Sequence, residues 1–291
     1  MGIELSGTGI WSGALRRGDP AEAAEIAAEL DELGYAAIWI GDVGGDLWGC
    51  VNTLLEATER AIVATGIANI WIRTPEDTSH QHATLNAQYG HRFLLGIGVS
   101  HGHLVEGVFG QEYRRPLARL AQFLDGLDEA EVPVPVDERV IAALGPKALA
   151  LAGERSAGTH PYLTSPEHTA TAREALGAGA IVAPEQGLIL ESDPDRARTI
   201  ARQFLARYLE APNYTNNFRR LGFTEDDIAG GGSDRLVDAL IAWGDEDALA
   251  ARVQAHRDAG ASHVCVQVLT SVEQPPFPRD EWRRLAPVLI S

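Results

Sequence analysis

The sequence has few cysteines and no long apolar run. Cys50 and Cys265 are its two cysteines, and they lie far apart in the chain. Their spacing leaves a disulfide open, but we expect two buried thiols in a cytoplasmic protein. No run of about 18 apolar residues occurs, so the sequence predicts no membrane-spanning segment. The first residues do not combine a basic region with an apolar stretch, so we expect no secretory signal.

Basic residues are scarce relative to acidic ones. The 291 residues include 24 lysines and arginines against 41 aspartates and glutamates, which gives a formal net charge of −17. A surface of this charge repels phosphate backbones and anionic lipids, so nucleic acid and membranes are poor partners. Two phosphate-binding motifs are also missing, the strand-and-helix Gly-x-Gly-x-x-Gly and the Walker loop, so dinucleotide and ATP sites are unsupported. A small-molecule substrate is the partner that we expect.

The main positive signal is a repeated unit of an apolar strand, a capping residue, an amphipathic helix and a glycine. Its first instance begins at Asp19-Pro20, where aspartate suits the cap and proline suits the first helical position. Apolar residues then recur at helical spacing until Gly34 ends the helix. The same pattern predicts helices at 166–177, 194–209 and 246–260.

About eight predicted strands alternate with these helices, which indicates a parallel sheet. The strands are predicted at 3–10, 36–40, 61–67, 93–97, 140–144, 157–160, 180–182 and 263–268. Eight units favour an α/β fold with one (β/α)8 TIM-type barrel, although periodicity alone leaves an open doubly wound sheet possible. We expect a single domain over residues 1–291. The stretch at about 212–232 is rich in Asn, Asp and Gly and is predicted to be an irregular excursion.

Candidate catalytic residues follow the predicted strands, because a barrel of this type carries its chemistry at the carboxyl ends of its strands. Asp42 and Trp48 come after the second strand and can position a ring or a substrate; a helix cap or loop carboxylate is the alternative for Asp42. His101 and His103 follow the strand at 93–97, where an imidazole can donate or accept a proton near neutral pH. Loop histidines without a special role are the alternative there.

Two further patterns concern anions and metals. Gly145-Pro146-Lys147 stands where a strand gives way to a helix, and backbone N–H groups at a helix start hold anions well, so a cofactor phosphate can dock there. His80 and His82 form a His-x-His pair at a predicted helix start, where positions i and i+2 diverge. No clear set of further ligands accompanies them, so we expect no metal site.

Several blocks of residues, spread over nearly the whole chain, are characteristic. They are 33–40 followed by Asp42, 64–67, 91–98, 143–147, 160–163, 183–186, 212–214 and 232–236. With these blocks the chain resembles the luciferase-like monooxygenase superfamily, in particular its actinobacterial branch of coenzyme F-420 (deazaflavin)-dependent oxidoreductases.

The resemblance implies a barrel whose wide mouth binds a deazaflavin or FMN ring, with the phosphate near the later strands. It also implies a non-proline cis peptide behind the ring, at Gly66-Ile67 in this sequence. Asp42, His101 and His103 are then the catalytic candidates. The cofactor-binding candidates are Trp48, Gly66, Ile67, Ala68, Gly98, Gly145, Pro146, Thr159 and Glu185. A homodimer is expected on the same ground.

The sequence departs from the family pattern in three places. Characterised deazaflavin enzymes of this kind often have Asp-His after the second strand, whereas this chain has Asp42-Val43. A glutamate proton donor after the fourth strand of some relatives is matched only approximately by His101. No basic clamp for a sugar phosphate is recognisable. These departures concern the reaction more than the fold.

Four hypotheses about function follow. The leading one is an oxidoreductase that transfers a hydride between reduced coenzyme F-420 and a small organic substrate. The nearest alternative uses reduced FMN and O₂ as a monooxygenase. A cofactor-free barrel acting as a binding protein is permitted by Val43. A metal hydrolase built on the histidines is the fourth.

Overall fold

A computed structural model describes residues 2–271 and 277–290 of the protein. Within them a single sheet of 11 parallel strands forms the centre of the molecule. The strands are β1 (Gly7–Trp11), β2 (Ala37–Ile40), β3 (Ile62–Thr65), β4 (Ala68–Asn69), β5 (Phe93–Gly98), β6 (Arg139–Ile141), β7 (Gly158–Thr159), β8 (Ile181–Val182), β9 (Glu185–Ile189), β10 (Ile241–Trp243) and β11 (His263–Val268).

The sheet closes into a barrel. Its order runs β9, β11, β1, β2, β3, β5, β6, β7, β8, and β8 and β9 are separated in the chain only by Ala183 and Pro184. The amide of Ala183 donates to the carbonyl oxygen of Thr159 at 2.9 Å, and the amide of Cys265 donates to that of Pro184 at 2.9 Å. The segment therefore bridges β7 and β11. This confirms the predicted (β/α)8 barrel and excludes the open sheet.

Helices alternate with the strands, as the repeated unit predicts. They are α1 (Pro20–Glu32), α2 (Leu47–Glu56), α3 (Pro75–Tyr89), α4 (Gly102–Gly107), α5 (Pro116–Glu129), α6 (Pro146–Arg155), α7 (Pro166–Leu176), α8 (Pro194–Leu209), α9 (Pro212–Arg220), α10 (Glu225–Ile228), α11 (Asp234–Leu240), α12 (Glu246–Asp258) and α13 (Arg279–Leu289). The carboxylates of Asp19, Asp193 and Asp245 accept hydrogen bonds from the first backbone amides of α1, α8 and α12.

Residues 212–232 are mostly helical rather than irregular. They contain α9, α10 and a 3-10 turn at 229–231. Asparagine and aspartate disfavour helix interiors, but Tyr214 and Phe218 lie one turn apart and bury a common face of α9. Thr224 and Asp227 cap the start of α10 reciprocally. Burial of the aromatic face outweighs weak helix propensity, which composition alone does not reveal.

The two cysteines are free thiols in different surroundings. Cys265 is buried in β11, whereas Cys50 on α2 is only partly buried. Burial raises the pKa of both thiols, which lowers their reactivity. None of the described helices has the length and the apolar character needed to cross a bilayer.

Candidate active site

A cavity of about 680 Å³ opens at the carboxyl ends of the barrel strands. Its walls come from the residues that end or follow β1, β2, β3, β5, β6, β7 and β11, together with side chains of α8 and α9. A volume of this order suits a cofactor or a drug-sized ligand. The cavity lies on the face where barrel enzymes carry their chemistry.

Half of the predicted site residues line this cavity. The residues in its walls are Asp42, Gly66, Ile67, His101, His103 and Gly145. The others lie behind the walls or away from them, namely Trp48, Ala68, Gly98, Pro146, Thr159 and Glu185.

Trp48 lies away from the cavity, contrary to the expectation of an indole at the barrel mouth. It is buried near the start of α2, where its Nε1 donates to Asp77 Oδ2 at 2.8 Å. Its ring meets that of Phe93 edge-on, with centroids 6.2 Å apart. Asp46 caps α2, and this start turns Trp48 towards α3. The indole therefore supports the packing of helices.

Four of the other residues shape the walls from behind. The Oγ1 of Thr159 donates to the carbonyl oxygen of Ile141 at 2.8 Å, and Ala68 pairs with β5. Pro146 is the first residue of α6. A Cβ on Gly98 would stand 2.8 Å from Cγ1 of Ile67. Gly98 therefore leaves the space that Ile67 fills.

Glu185 begins β9 and is fully buried. Its Oε2 accepts a hydrogen bond from the amide of Leu163 at 2.9 Å. Its Oε1 has no partner among the described residues. Burial raises the pKa of Glu185 to about 8, so the carboxyl group is largely protonated near neutral pH.

Asp42 is buried and forms an ion pair with Arg73. Its Oδ1 and Oδ2 each accept a hydrogen bond of 2.9 Å from the Arg73 guanidinium. Its carboxylate also accepts from the amides of Gly44 at 3.1 Å and Asn69 at 3.2 Å. These bonds connect the loops after β2 and β4. The geometry favours a loop-holding carboxylate over a proton-transfer group.

The peptide bond between Gly66 and Ile67 is cis, as predicted. It lies in the cavity wall after β3, where Trp11 Nε1 donates to the carbonyl oxygen of Gly66 at 3.1 Å. The indole of Trp11 therefore lies against this peptide, and both line the cavity.

His160 lies beside the same peptide as a neutral imidazole. Its ring stacks on Trp39 with centroids 4.1 Å apart, and its Nδ1 lies 2.7 Å from the carbonyl oxygen of Ala183. Complete burial lowers the pKa of His160 to about 4, so the single ring proton is on Nδ1, where it can be donated to that carbonyl. Nε2 is then an acceptor, and it has no partner among the described residues.

His101 forms part of another stretch of the cavity wall. Its Nε2 lies 3.4 Å from the hydroxyl of Tyr214, and its buried Nδ1 has no partner within 2–271 and 277–290. Burial lowers the pKa of His101 to about 4, with smaller contributions from His103 and Arg207. His101 is therefore neutral near pH 7. Its Nδ1 can serve a ligand as a donor in one tautomer and as an acceptor in the other.

Three tyrosines that are not among the predicted site residues complete this wall. The hydroxyl of Tyr162 donates to Gln267 Oε1 at 2.7 Å and lies 3.1 Å from the hydroxyl of Tyr208. The rings of Tyr208 and Tyr214 pack edge-on with centroids 5.1 Å apart. Burial raises the pKa of each phenol, so all three stay protonated. Tyr208 lies in the last turn of α8 and Tyr214 lies in α9, so the packing of these two helices places them here.

A sequence model of the luciferase-like monooxygenase family matches residues 5–263. The chain belongs to this family. A Mycobacterium tuberculosis protein assigned as a coenzyme F-420-dependent oxidoreductase is 25% identical, with 91% of this chain and 94% of that protein covered.

Two solved structures illustrate the fold that this luciferase-like chain shares. An F-420-dependent secondary alcohol dehydrogenase in complex with an F-420–acetone adduct has a TM-score of 0.73 at 14% identity, with 99% of this chain and 98% of that one covered. The oxygenating constituent of 3,6-diketocamphane monooxygenase of Pseudomonas putida, in complex with FMN, has a TM-score of 0.69 at 13% identity, with 98% of each chain covered.

Val43 occupies the position where the deazaflavin enzymes described above often have histidine. It lines the cavity and is 41% exposed. This luciferase-like chain therefore presents a small apolar group there.

Ser100 completes a Gly-x-Ser-x-Gly sequence at 98–102. It lies on the turn between β5 and α4 with φ +53°, which is the local geometry of a nucleophile elbow. Among the described residues, no imidazole hydrogen-bonds its hydroxyl, so the base that activates such a serine is not in place. The turn instead aims His101 at the cavity.

Three arginines line the cavity, although no basic clamp for a sugar phosphate was recognisable in the sequence. They are Arg17, Arg207 and Arg220. Arg220 Nη2 lies 3.5 Å from the point where a Cβ on Gly145 would stand. Gly145 is the N-cap of α6 and offers no side-chain cap. A guanidinium and an open helix start therefore meet at one side of the cavity.

Metal ligation finds no support in the described part of the chain, where no group of three or more His, Cys, Asp or Glu side chains is arranged around a cation. His82 is buried 3.3 Å from Glu138 and bonds Asn86 at 3.0 Å, whereas His80 is exposed. The His-x-His pair diverges, as helical geometry requires.

Proposed function

We propose that the protein is an oxidoreductase that transfers a hydride between reduced coenzyme F-420 and a small organic substrate. One observation carries the proposal: a single cavity combines aromatic side chains around Gly66 with an uncapped helix start at Gly145 and the guanidinium of Arg220. A deazaflavin nucleotide has the matching parts, a planar ring and a phosphate. The relative that is 25% identical along 91% of the chain supports the same cofactor.

The residues of the cavity fit such a cofactor. Gly66, Ile67 and Trp11 would contact the ring. The unpartnered Nε2 of His160 is a buried acceptor that a ring N–H group can satisfy. The amides at the start of α6 and the Arg220 guanidinium would hold the phosphate.

When bound, reduced deazaflavin supplies the hydride. The protein's own part is to bind, to orient and to move a proton. His101 is the proton-transfer candidate, since its Nδ1 is buried, unpartnered within the described residues and part of the cavity wall. Tyr214 fixes the ring through the other nitrogen. His103, whose ring is 5.5 Å from that of His101, is the second candidate.

An FMN-dependent monooxygenase is the second candidate function. It is favoured by the shared fold with the FMN-containing oxygenating constituent, at a TM-score of 0.69. The same ring and phosphate contacts would serve FMN, so the reactivity of the ring with O₂ separates the two candidates. Homodimer formation stays a prediction in either case.

A fluorescence titration of the purified protein with oxidised F-420 and, separately, with FMN tests the proposal. Tight F-420 binding with weak FMN binding is the expected result. A preference for FMN would instead favour the FMN-dependent monooxygenase that uses O₂. Binding of neither cofactor at high micromolar concentration would contradict both and favour a cofactor-free binding protein.

A further inference from the structure

Three of the arginines that form no ion pair with a carboxylate line the cavity of a strongly acidic protein. Within residues 2–271 and 277–290, the arginines at the cavity form no ion pair with a carboxylate; they are Arg17, Arg207 and Arg220. Elsewhere Arg198 pairs with Asp238, and Arg279 pairs with Glu29. Unpaired guanidinium groups around one concave site favour anionic ligands, and they attract them from a distance.

Arg207 and Arg220 serve different parts of the cavity. Arg220 stands beside the start of α6, at Gly145, where the proposed cofactor phosphate lies. Arg207 instead lies over the ring of Tyr208, with its guanidinium carbon 4.8 Å from the ring centroid. The Tyr208 ring is 5.9 Å from that of His101. Arg207 therefore belongs to the wall that carries the proton-transfer candidate.

The exposed Arg207 side chain contacts two aromatic rings of its own helix. Its guanidinium carbon lies 4.8 Å from the ring centroid of Tyr208 and 5.5 Å from that of Phe204, and cation–π contacts of this kind leave the charge of the side chain unneutralised. Its charge reaches His101, whose pKa it helps to lower. Tyr208 thus neighbours both Arg207 and His101.

We infer that the substrate is a carboxylate-bearing aromatic carbonyl compound, with its carboxylate held by Arg207 and its carbonyl oxygen facing His101. The inference rests on the proposed function. The planar, fork-shaped guanidinium matches a carboxylate, and the wall of Tyr208 and Tyr214 suits an unsaturated ring. In the reduction, the carbonyl carbon accepts the hydride and the carbonyl oxygen accepts a proton. The aldehyde or ketone becomes an alcohol, and the deazaflavin is oxidised.

Binding of 4-carboxybenzaldehyde and of its uncharged methyl ester, methyl 4-formylbenzoate, tests the inference. The two probes share their ring and aldehyde and differ in charge. Quenching of tryptophan fluorescence reports binding, because Trp11 lies in the cavity wall. We expect the wild-type protein to bind the acid about tenfold more tightly than the ester, as a charge-assisted hydrogen bond provides.

Arg207→Gln should remove this preference by lowering the affinity for the acid to that for the ester. Arg220→Gln should keep the preference, and so should Arg119→Gln, a matched exposed arginine on α5. Equal binding of acid and ester by the wild-type protein would overturn the inference. Loss of the preference in Arg220→Gln rather than in Arg207→Gln would also overturn it. Circular dichroism of each variant checks that it folds.

The probe titration is made without cofactor, so the two proposals can fail separately. If neither F-420 nor FMN binds but the acid preference depends on Arg207, the redox function is wrong and the carboxylate site stands. If F-420 binds and the acid preference is absent, the redox function stands and the substrate class is wrong.

Discussion

Nε2 of His160 lies 2.9 Å from the point where a Cβ on Gly66 would stand. The indole Nε1 of Trp11 lies 2.6 Å from the same point. Other contacts hold both rings in these positions. Trp11 donates a hydrogen bond to the Gly66 carbonyl oxygen, and His160 stacks on Trp39. The wall of the cavity therefore has no room for a side chain at position 66.

Gly66→Ala should destabilise the protein by about 1–3 kcal/mol, because an added methyl group in a packed site displaces its neighbours. The same displacement should weaken cofactor binding. Urea unfolding and the fluorescence titration measure the two effects. Gly179→Ala is the control, since a Cβ there meets nothing within 4 Å. A Gly66→Ala protein as stable and as competent to bind as the control would contradict the packing described here.

Arg220→Gln should weaken FMN binding about tenfold to a hundredfold, because a charge-assisted hydrogen bond to the phosphate is worth about 1.5–3 kcal/mol. Riboflavin has no phosphate, so its affinity should not change. The FMN affinity of the wild-type protein should fall with added salt more than that of the variant. Equal losses for FMN and riboflavin would place Arg220 against the ring instead.

His101 should remain neutral throughout the physiological pH range. Its folded pKa of about 4 lies below the ordinary value of 6.5 because of burial, His103 and Arg207. The unfolded chain therefore takes up the proton first as the pH falls from 6.5, and stability is lost progressively down to about pH 4. His101→Gln should reduce this acid sensitivity, with His80→Gln on the exposed face as the control. An NMR titration that finds His101 protonating near pH 6.5 would contradict this.

Glu185 should make the protein less stable as the pH rises. Its folded pKa of about 8 is raised above 4.5 by burial, so its contribution to stability is fully present below pH 4.5 and is lost as the pH rises through 8. Glu185→Gln should therefore be more stable than the wild type at pH 8, by up to a few kcal/mol at ~1.4 kcal/mol per pKa unit. The advantage should vanish near pH 4.5.

Urea midpoints at pH 5 and pH 8 measure the effect of Glu185→Gln. Glu154→Gln removes an exposed carboxylate and serves as the control. A pH-independent difference between the variant and the wild type would show that Glu185 is ionised in the folded protein.

The fold followed from local patterns. The capping aspartates and the apolar periodicity predict α1, α8 and α12 because they act within a few residues of the chain. Gly66-Ile67 was placed by resemblance, since the third strand and the turn after it are a recognisable block. The barrel was favoured over the open sheet, and the bonds of Ala183 and Cys265 decided it.

The candidate site was predicted only where it follows the strands directly. Asp42, His101 and Gly145 were found in this way, because every strand end in a barrel faces the same mouth. Trp48 was misplaced because its direction depends on how α2 packs against α3. Arg207 and Arg220 were missed because they lie in helices far along the chain.

The sequence by itself determined the alternation of strands and helices, the family and the strand ends at which chemistry would lie, because these depend on short-range caps, periodicity and recognisable blocks. The tertiary structure alone decided which groups share the cavity. It paired Asp42 with Arg73, buried His101 and Glu185 so that their pKa values shift, and packed α8 and α9 over the barrel mouth. Burial and charge pairing depend on contacts between residues distant in sequence, so no local pattern encodes them.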